Sequence, residues 1–199
     1  MEIIYIVKEQ QEAPMRVSRE QVAEHRRMIL EAAGRLFRER GFEAVTVAEV
    51  MQAAGLTHGG FYRHFKSKDD LIAQTLAHAL TDDSVGEADL ARYAAVYLSP
   101  DHRDNVSGGC PVAGLGAETI RQSPEARAAM TAALRRQIER LSHSAPGAGG
   151  PEKRQAAIAS WSAMVGAMVL ARLCDDPKLS DEVLAGTRAF IRKQAGEGA

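Results

Sequence analysis

A closely spaced run of hydrogen-bond donors in the first third of the chain has the chemistry needed to hold phosphate groups. The run consists of Tyr62, Arg63, His64, Lys66 and Lys68. All five side chains can donate to phosphate oxygens, and the arginine and lysines add positive charge. The sequence therefore predicts a nucleic-acid-binding segment here, provided that a folded element presents these side chains together.

Two short helices and a tight turn are the elements that would position these donors. Thr46 is a natural N-cap, and apolar residues recur after it at helical spacing until Gly55, where a left-handed helix end favours glycine. Thr57 can cap a second helix, with Phe61 and Phe65 on its buried face. This pattern is typical of a helix-turn-helix, whose second helix fits the DNA major groove.

The second helix also contains small residues that favour a close approach to DNA. His58, Gly59 and Gly60 precede the donors, and the glycines remove bulk where backbone could approach a groove. Each glycine weakens a helix by about 1 kcal/mol against alanine, so a helix that only packs would gain nothing from the pair. Ser67 and Asp70 then form the pattern of a capping box that opens a third helix.

The segment AGLTHGGFYRHFKSKDDL at residues 54–71 resembles the signature of the TetR/AcrR family of bacterial transcriptional regulators. With the preceding helix the resemblance covers about residues 26–71, where turn, aromatic, basic and capping residues agree in order and spacing. It implies that phosphates are held by Thr46, Thr57, Tyr62, His64 and Lys68. It implies that the residues nearest the base edges are His58, Gly59, Gly60 and Arg63. The alternative is a three-helix packing unit with a solvated basic face.

The resemblance and the helical pattern also predict the organisation of the chain. We expect an all-α fold of about nine helices, since aromatics are only 5% and alanine is abundant. The expected parts are an N-terminal tail at 1–15, a helix-turn-helix DNA-binding domain at 16–66, and a ligand-binding and dimerisation domain at 67–199. The tail is expected to be disordered; a true translation start at Met15, or an arm that packs on the body or touches DNA, are alternatives.

Capping residues and helix breakers predict the ends of the other helices. Ser18 opens the first helix, which is expected to end at Gly41. A loop is expected at 101–111 and a flexible linker at 146–151, before a long apolar helix. Ser180 is expected to cap the last helix.

Cys110 has the most suggestive chemistry outside the helix-turn-helix. Pro111 suits the first position of a helix, which makes Cys110 the N-cap, where the helix dipole and unpaired N–H groups favour a thiolate. His102 and Arg103 could add positive charge if their loop folds back. Some TetR-like regulators that sense electrophiles or oxidants carry a Gly-Cys pair at a similar place, so Cys110 is a candidate sensor. An inert, packed thiol is the alternative.

A second group of residues could line a ligand cavity, namely Tyr93, Tyr97, Trp161, Met164 and Met168. Aromatic side chains offer flat surfaces with polar handles, and methionine adapts to varied shapes. Each of them could equally be a core residue at helical spacing. The histidines and cysteines lack metal-site spacing, so neither a metal nor a cofactor is expected.

The net charge, the number of cysteines and the length of the apolar runs bear on the class and location of the protein. The net charge of −1 gives no global basic field, so only the placement of the charges points to nucleic acid. Two cysteines are too few for a disulfide scaffold. No apolar run reaches the roughly 20 residues of a membrane span, and the N-terminus lacks the pattern of a signal peptide. We therefore expect a cytoplasmic protein.

These features together predict a dimeric, sequence-specific DNA-binding transcriptional regulator. The resemblance implies a repressor, released by a small-molecule effector or by modification of Cys110. Its partners would be a double-stranded DNA operator, the effector, and a second copy bound through the two C-terminal helices, with no membrane involved. Those helices could instead complete a monomer core.

Two other functions compete with a regulator. One is a thiol-dependent enzyme with Cys110 as nucleophile and His102 as base, although no third group is evident to orient the base. The other is a helical adaptor that binds only protein. We expect that the chain is not an enzyme.

Overall fold

The computed structural model of the protein describes residues 18–79 and 89–196. Within these two stretches the chain forms nine α-helices, one 3-10 helix and no strand, which confirms the predicted all-α fold. The helices are, in chain order, α1 (Arg19–Ala44), α2 (Val47–Ala53), the 3-10 helix (His58–Arg63), α3 (Lys68–Ala79), α4 (Leu90–Tyr97), α5 (Pro100–Asp104), α6 (Pro111–Thr119), α7 (Pro124–Ser142), α8 (Gly150–Leu173) and α9 (Pro177–Gln194). The predicted tail at 1–15 lies outside the described residues.

Helix α1 begins as predicted, and its regular geometry is interrupted at Gly41, where its end is expected. The Ser18 hydroxyl accepts from the backbone N–H of Gln21, whose side chain accepts from the backbone N–H of Ser18. At Gly41 the backbone leaves the helical conformation, with a φ of 79° and a ψ of 168°, and a short helical stretch then follows to Ala44. Phe42, beyond the glycine, is fully buried and packs edge-on against Phe37. The glycine therefore interrupts the helix where the sequence predicts its end, and the chain resumes one short turn.

The helix-turn-helix forms where the sequence predicts it, but its second helix is wound as a 3-10 helix. Gly55 has the left-handed φ expected of the turn, at 71°. Two glycines in a six-residue helix leave little helix propensity, and short 3-10 turns suit such segments. Phe61 and Phe65 are buried and stack with ring centroids 5.7 Å apart, which fixes the segment on the core. Thr57 precedes the helix without a side-chain hydrogen bond, so the predicted cap is wrong in that respect.

Helix α3 begins with half of the predicted capping box. The Ser67 hydroxyl accepts from the backbone N–H of Asp70 at 3.1 Å. The Asp70 carboxylate, however, accepts from the backbone N–H of Lys66 rather than from that of Ser67, at 2.8 Å. The aspartate side chain therefore ties the end of the helix-turn-helix to the start of α3.

Helix α3 also joins the helix-turn-helix, hereafter the head (residues 18–66), to the remaining helices, hereafter the body. It packs on α1 and on α7. The apolar core of the head continues through α3 to Leu115 of α6 and Met130 of α7. Packing is thus continuous across residue 67, and the domain boundary at that position stays a prediction.

The body encloses a second apolar core, in which Tyr97, Trp161, Met164 and Met168 lie together. Helix α8 packs on α6, α7 and α9. By length and composition alone this helix could cross a membrane, contrary to our expectation from the sequence. The same test is passed by the core helix of a soluble protein, and α8 has helices on several sides.

Two connections in the body are more helical than predicted. The expected loop at 101–111 contains α5, which Ser99 caps by accepting from the backbone N–H of His102. Pro100 stands at the first position of this helix, a place that proline favours. Helix α8 likewise starts at Gly150, inside the expected linker at 146–151, with Pro151 in its first turn.

The last helix is capped by Asp176 and not by Ser180, so that prediction was wrong. The Asp176 carboxylate accepts from the backbone N–H of Lys178 at 2.9 Å, and Pro177 follows the cap directly. Ser180 lies inside α9, where its buried hydroxyl donates to the Ala171 carbonyl at 2.7 Å. The serine therefore joins α9 to α8.

Candidate functional site

The predicted donors are presented on the outer surface of the head. We define the donor face by its exposed residues Thr57, His58, Gly59, Tyr62, Arg63 and Lys66. Tyr62 is 75% exposed, although its ring packs edge-on against the buried ring of Phe61, with the two ring centroids 5.2 Å apart. The buried phenylalanines act as a fixed platform, so the donor face is held in place before any partner arrives.

Two further predicted donors flank this face and already have partners in the chain. The Thr46 hydroxyl accepts from the backbone N–H of Glu49 and donates to its carboxylate at 2.8 Å. The Thr46 backbone N–H also donates to this carboxylate at 2.8 Å, and this bond, followed by those from the Thr46 hydroxyl and Arg40, lowers the pKa of Glu49 to about 2. The Lys68 ammonium approaches the Glu43 carbonyl at 3.4 Å. A phosphate at either position would have to share or replace these contacts.

His64 is placed differently from the rest of the predicted donors. It is half-buried, and its Nδ1 is buried without a hydrogen-bond partner. Its ring lies 6.4 Å from that of His25, beside a cavity of about 160 Å³ that Arg63 also lines. Burial, followed by the nearby His25, Arg63 and Arg26, lowers the pKa of His64. Only the outer edge of this ring could therefore reach a phosphate.

Cys110 is the N-cap of α6, as predicted, and its thiol makes no capping hydrogen bond. The backbone N–H of Cys110 donates to Nε2 of His102 at 3.0 Å. Nδ1 of His102 lies 2.6 Å from the Tyr97 carbonyl. Since a carbonyl only accepts, Nδ1 carries the proton and Nε2 is the acceptor. The ring is neutral, in agreement with a pKa that burial lowers.

This arrangement corrects the expected roles of His102 and Arg103. The basic nitrogen of His102 is occupied by a backbone N–H, so it is not placed to take a proton from the thiol. Arg103 points elsewhere, to Ser180 and Asp181. Without an oriented base the geometry gives no support to the enzyme hypothesis.

Two other arginines, which the sequence did not single out, lie near the loop that precedes α6. Arg172 donates to the carbonyls of His102 and Arg103 at 2.9 and 3.0 Å. Arg38 of α1 donates to the Ser107 carbonyl. Together with Gly109, Arg38 lines an open cavity of about 500 Å³ between α1 and this loop. Both arginines come from other elements, so their proximity could not be deduced from spacing.

The predicted ligand residues come together around the cysteine. The rings of Tyr93, Tyr97 and Trp161 lie within 6.2 Å of one another, centroid to centroid. The Tyr97 hydroxyl lies beside the Cys110 thiol without hydrogen-bond geometry, and burial and the thiol raise the pKa of Tyr97. Burial likewise raises the pKa of Tyr93 to about 12. Met164 and Met168 are fully buried in the same core.

Gln137 and Arg140 of α7 complete this cluster, and the sequence analysis missed both. The Arg140 guanidinium lies 5.8 Å from the centre of the Tyr93 ring and donates to the Gln137 amide oxygen. Both side chains lie against the Tyr93 hydroxyl and partly offset the rise of its pKa. Their spacing of three places them on one helix face, but polar pairs at that spacing are common on solvated helices. We call Tyr93, Tyr97, Cys110, Gln137, Arg140 and Trp161 the core cluster.

Helix α6 connects the core cluster to the head. Its N-cap is Cys110, and near its other end the Glu118 carboxylate accepts from the backbone N–H of Phe42 at 2.8 Å. A side chain at Gly41 would lie 2.6 Å from the same carboxylate, so the kink in α1 and Glu118 fit together. A movement of α6 would therefore displace the Glu118 carboxylate that is bonded to α1. Helix α1 in turn packs directly on α2 of the helix-turn-helix.

Comparisons with known proteins agree with this architecture. The family described as "Bacterial regulatory proteins, tetR family" matches residues 29–75, and "Tetracyclin repressor-like, C-terminal domain" matches residues 86–187. Over 75 residues the chain is 36% identical to the HTH-type transcriptional regulator AcrR of Shigella flexneri, a stretch that covers 38% of this chain and 34% of that protein. Over 57 residues it is 40% identical to the HTH-type transcriptional repressor Rv1474c of Mycobacterium tuberculosis, which covers 29% and 30%.

The similarity to these curated relatives is local, since the matched stretches span about a third of each relative's length. The fold is shared over a much longer stretch. The crystal structure of the reduced form of Escherichia coli NemR superposes with a TM-score of 0.69 and 24% identity, over 86% of this chain and 97% of that one. With both family descriptions matched in order, the chain belongs to the tetR family of bacterial regulatory proteins.

Proposed function

We propose that this protein is a dimeric, sequence-specific DNA-binding repressor, controlled by a small molecule in the body or by modification of Cys110. The donor face is the observation that carries the proposal. It places Tyr62, Arg63 and Lys66 in solvent on a rigid apolar platform, next to a surface glycine. A face that only had to be soluble would not need buried aromatics directly behind its donors.

The proposed division of labour on the donor face follows the exposure of each residue. His58, Gly59, Gly60 and Arg63 would lie nearest the base edges, while Thr57, Tyr62 and Lys66 would hold phosphates. A methyl group added at Gly59 would meet no atom within 4 Å, so that surface is open to a partner. Thr46, His64 and Lys68 would add phosphate contacts at the margins of the face.

A two-fold dimer through α8 and α9 is supported by apolar residues that the single chain leaves exposed. They include Val169, Leu170 and Leu173 on α8 and Leu179 and Phe190 on α9. Leu173 is 74% exposed, and several exposed apolar side chains on two adjacent helices are more informative than any one of them. Two copies would bury these side chains and present two donor faces to a palindromic operator. Such a repressor would work in the cytoplasm.

Control of DNA affinity would run through α6. An effector in the core cluster, or an adduct on Cys110, would shift the N-terminus of α6, and the Glu118 contact would pass the shift to α1. For this to release DNA, the effector must bind the DNA-incompetent arrangement more tightly than the competent one.

The direct test is binding of the purified protein to DNA upstream of its own gene, measured over a range of salt concentrations. We expect tight binding that weakens steeply with salt, as phosphate contacts require. Arg63→Ala should weaken it about tenfold or more. Arg154→Ala is the matched control, since this exposed arginine lies in the body and pairs with Glu139.

The outcomes separate the alternatives. Salt-insensitive or absent binding to every fragment of a genomic library would contradict the repressor and favour a protein-binding adaptor. If DNA is bound, treatment with a mild electrophile tests the thiol: release in the native protein but not in Cys110→Ser supports Cys110 as the sensor. Release in both would assign the response to another nucleophile, such as Cys174, and release in neither would leave non-covalent effectors as the means of control. Sedimentation of Leu173→Glu beside Ile120→Glu, two exposed apolar positions, tests the dimer.

A further inference from the structure

The body core contains several polar atoms that are buried and unbonded, and they lie in one place. Among the described residues these include Oη of Tyr97, Nε1 of Trp161 and Nε2 of Gln137. Tyr97 and Trp161 are each only 5% exposed, and their ring centroids lie 5.2 Å apart. A buried polar group without a partner costs about 1–3 kcal/mol, so three of them at one site indicate a missing occupant.

The chemistry of these atoms restricts what the occupant can be. The indole Nε1 and the amide Nε2 can only donate, and the Tyr97 hydroxyl can donate as well. The Gln137 amide oxygen is already taken by the Arg140 guanidinium. A molecule at this site must therefore offer acceptors, and one that brings more N–H groups would leave donors facing donors.

Two positive side chains lie beside the site. The Arg140 guanidinium lies 5.8 Å from the centre of the Tyr93 ring, and Arg172 donates to the carbonyls of His102 and Arg103 next to the cluster. A full negative charge on the occupant would be balanced here, whereas a cation would be repelled. The two oxygens of a carboxylate can accept several hydrogen bonds at once, which fits the number of donors available.

The side chains that surround the site restrict the shape of the rest of the ligand. Tyr93, Tyr97 and Trp161 come from α4 and α8, and fully buried Met164 lies in the same core. Aromatic faces favour flat, apolar partners through stacking and edge-on contacts. The occupant should thus combine a planar apolar body with an anionic head.

We infer that the core cluster binds a planar aromatic or conjugated carboxylate, with the carboxylate held by Tyr97, Trp161, Gln137 and Arg140. This inference rests on the proposed function, since it names the chemical class of the effector. The occupied site would also place the ligand against the Cys110 thiol at the N-terminus of α6. The bound ligand would then contact the end of α6 from which a shift is proposed to pass to the head.

Trp161 makes the test direct, because it is the single tryptophan of the chain. The full-length protein is titrated with benzoate and with trans-cinnamate, and the emission of Trp161 is recorded. Benzylamine, of similar size and opposite charge, is the matched control ligand. We expect a saturable change of emission with at least one acid and none with the amine, and calorimetry of the same titration should give the same affinity.

Two variants assign the contacts. Tyr97→Phe keeps the ring and removes one donor, and Arg140→Gln removes the positive charge. Each should weaken the acid by about tenfold or more, the usual effect of a hydrogen bond to a charged group. Tyr62→Phe makes the same chemical change on the donor face and should leave the affinity for the acid unchanged. Thermal melts check that each variant is folded.

Several results would overturn the inference. These are no saturable binding of either acid at millimolar concentration, equal binding of the amine, or unchanged affinity in both Tyr97→Phe and Arg140→Gln. Operator binding is measured separately on the same protein. Intact, salt-sensitive DNA binding without acid binding would reject this ligand class and leave the repressor standing. Acid binding without DNA binding would support this ligand class and reject the repressor.

Discussion

The head and the body treat polar groups in opposite ways. In the head, polar side chains lie mostly at the surface or in capping boxes, such as those of Ser18 and Thr46, and Nδ1 of His64 is the buried polar atom left without a partner. In the body, hydroxyl, indole and amide groups lie deep in the core without partners. Under the proposed function, the head would bind a partner that arrives from outside, and the body one that enters it.

This difference has an energetic consequence. Within residues 18–66 the buried polar side-chain atom without a partner is Nδ1 of His64, so unpaired groups cost the head less than they cost the body. The body carries the cost of several buried donors, each about 1–3 kcal/mol, until something accepts from them. A ligand recovers that cost when it binds, which makes the body the more responsive part of the molecule.

The largest expected effect comes from two glycines of the helix-turn-helix that look alike in the sequence. Gly55 has a φ of 71°, where any side chain is strained, so Gly55→Ala should lower the free energy of unfolding by about 1–2 kcal/mol. Gly59 has open space around it and no such strain. Gly59→Ala should keep or slightly raise stability, yet weaken DNA binding if backbone meets the groove there.

Chemical denaturation and operator binding of both variants test this pair. The contrast requires stability and DNA binding to separate: Gly55→Ala loses stability, and Gly59→Ala loses affinity alone. Equal stability losses would show that the head needs both glycines for folding. An unchanged affinity in Gly59→Ala would move the DNA contact away from that position.

A smaller effect is expected from the buried imidazole beside Cys110. The pKa of His102 is lowered below its ordinary 6.5, chiefly by burial. Between the two pKa values the unfolded chain binds more protons, so stability rises with pH in that window and falls as the pH drops below about 6.5. The slope for one proton cannot exceed about 1.4 kcal/mol per pH unit. His64 shifts in the same direction and adds to the slope from the head.

Urea unfolding between pH 7.5 and 5 separates the two histidines. His102→Asn keeps a donor for the Tyr97 carbonyl and should flatten part of the pH dependence. His58→Asn, the same substitution on the exposed donor face, is the matched control. If His102→Asn has the full wild-type slope, the head histidine accounts for the effect and the neutral tautomer of His102 is in doubt.

How much of this could be predicted from the sequence depends on whether the cause was local. Caps at Ser18 and Thr46 are set by residues within one turn, and both form as predicted. The cap expected at Ser180 failed, because Pro177 and Asp176 begin the helix earlier. The same proline rule, applied at Pro100 or Pro151, would have predicted the additional helical turns.

The candidate sites divide in the same way. The donor face is contiguous in the chain, so its residues could be named from spacing alone. The core cluster is assembled from α4, α7, α8 and the N-cap of α6, and its aromatic members and Cys110 were predicted while Gln137 and Arg140 were not. Polar residues on α7 have the pattern of a solvated face, and only tertiary packing turns them towards Tyr93.

The smallest expected effect tests the contrast between the two regions most directly. Two buried hydroxyl groups of the body differ in their hydrogen bonds. The Ser180 hydroxyl donates to the Ala171 carbonyl and accepts from Arg103, while Oη of Tyr97 has no hydrogen bond. Ser180→Ala should therefore lower the free energy of unfolding by about 1 kcal/mol, an ordinary hydrogen bond. Tyr97→Phe should leave it unchanged or raise it by up to about 1 kcal/mol, since it removes a cost rather than a contact. Denaturation in the absence of any acid decides the matter. A loss in Tyr97→Phe as large as that in Ser180→Ala would mean that the hydroxyl has a partner, such as a bound water, and that the body core is already satisfied.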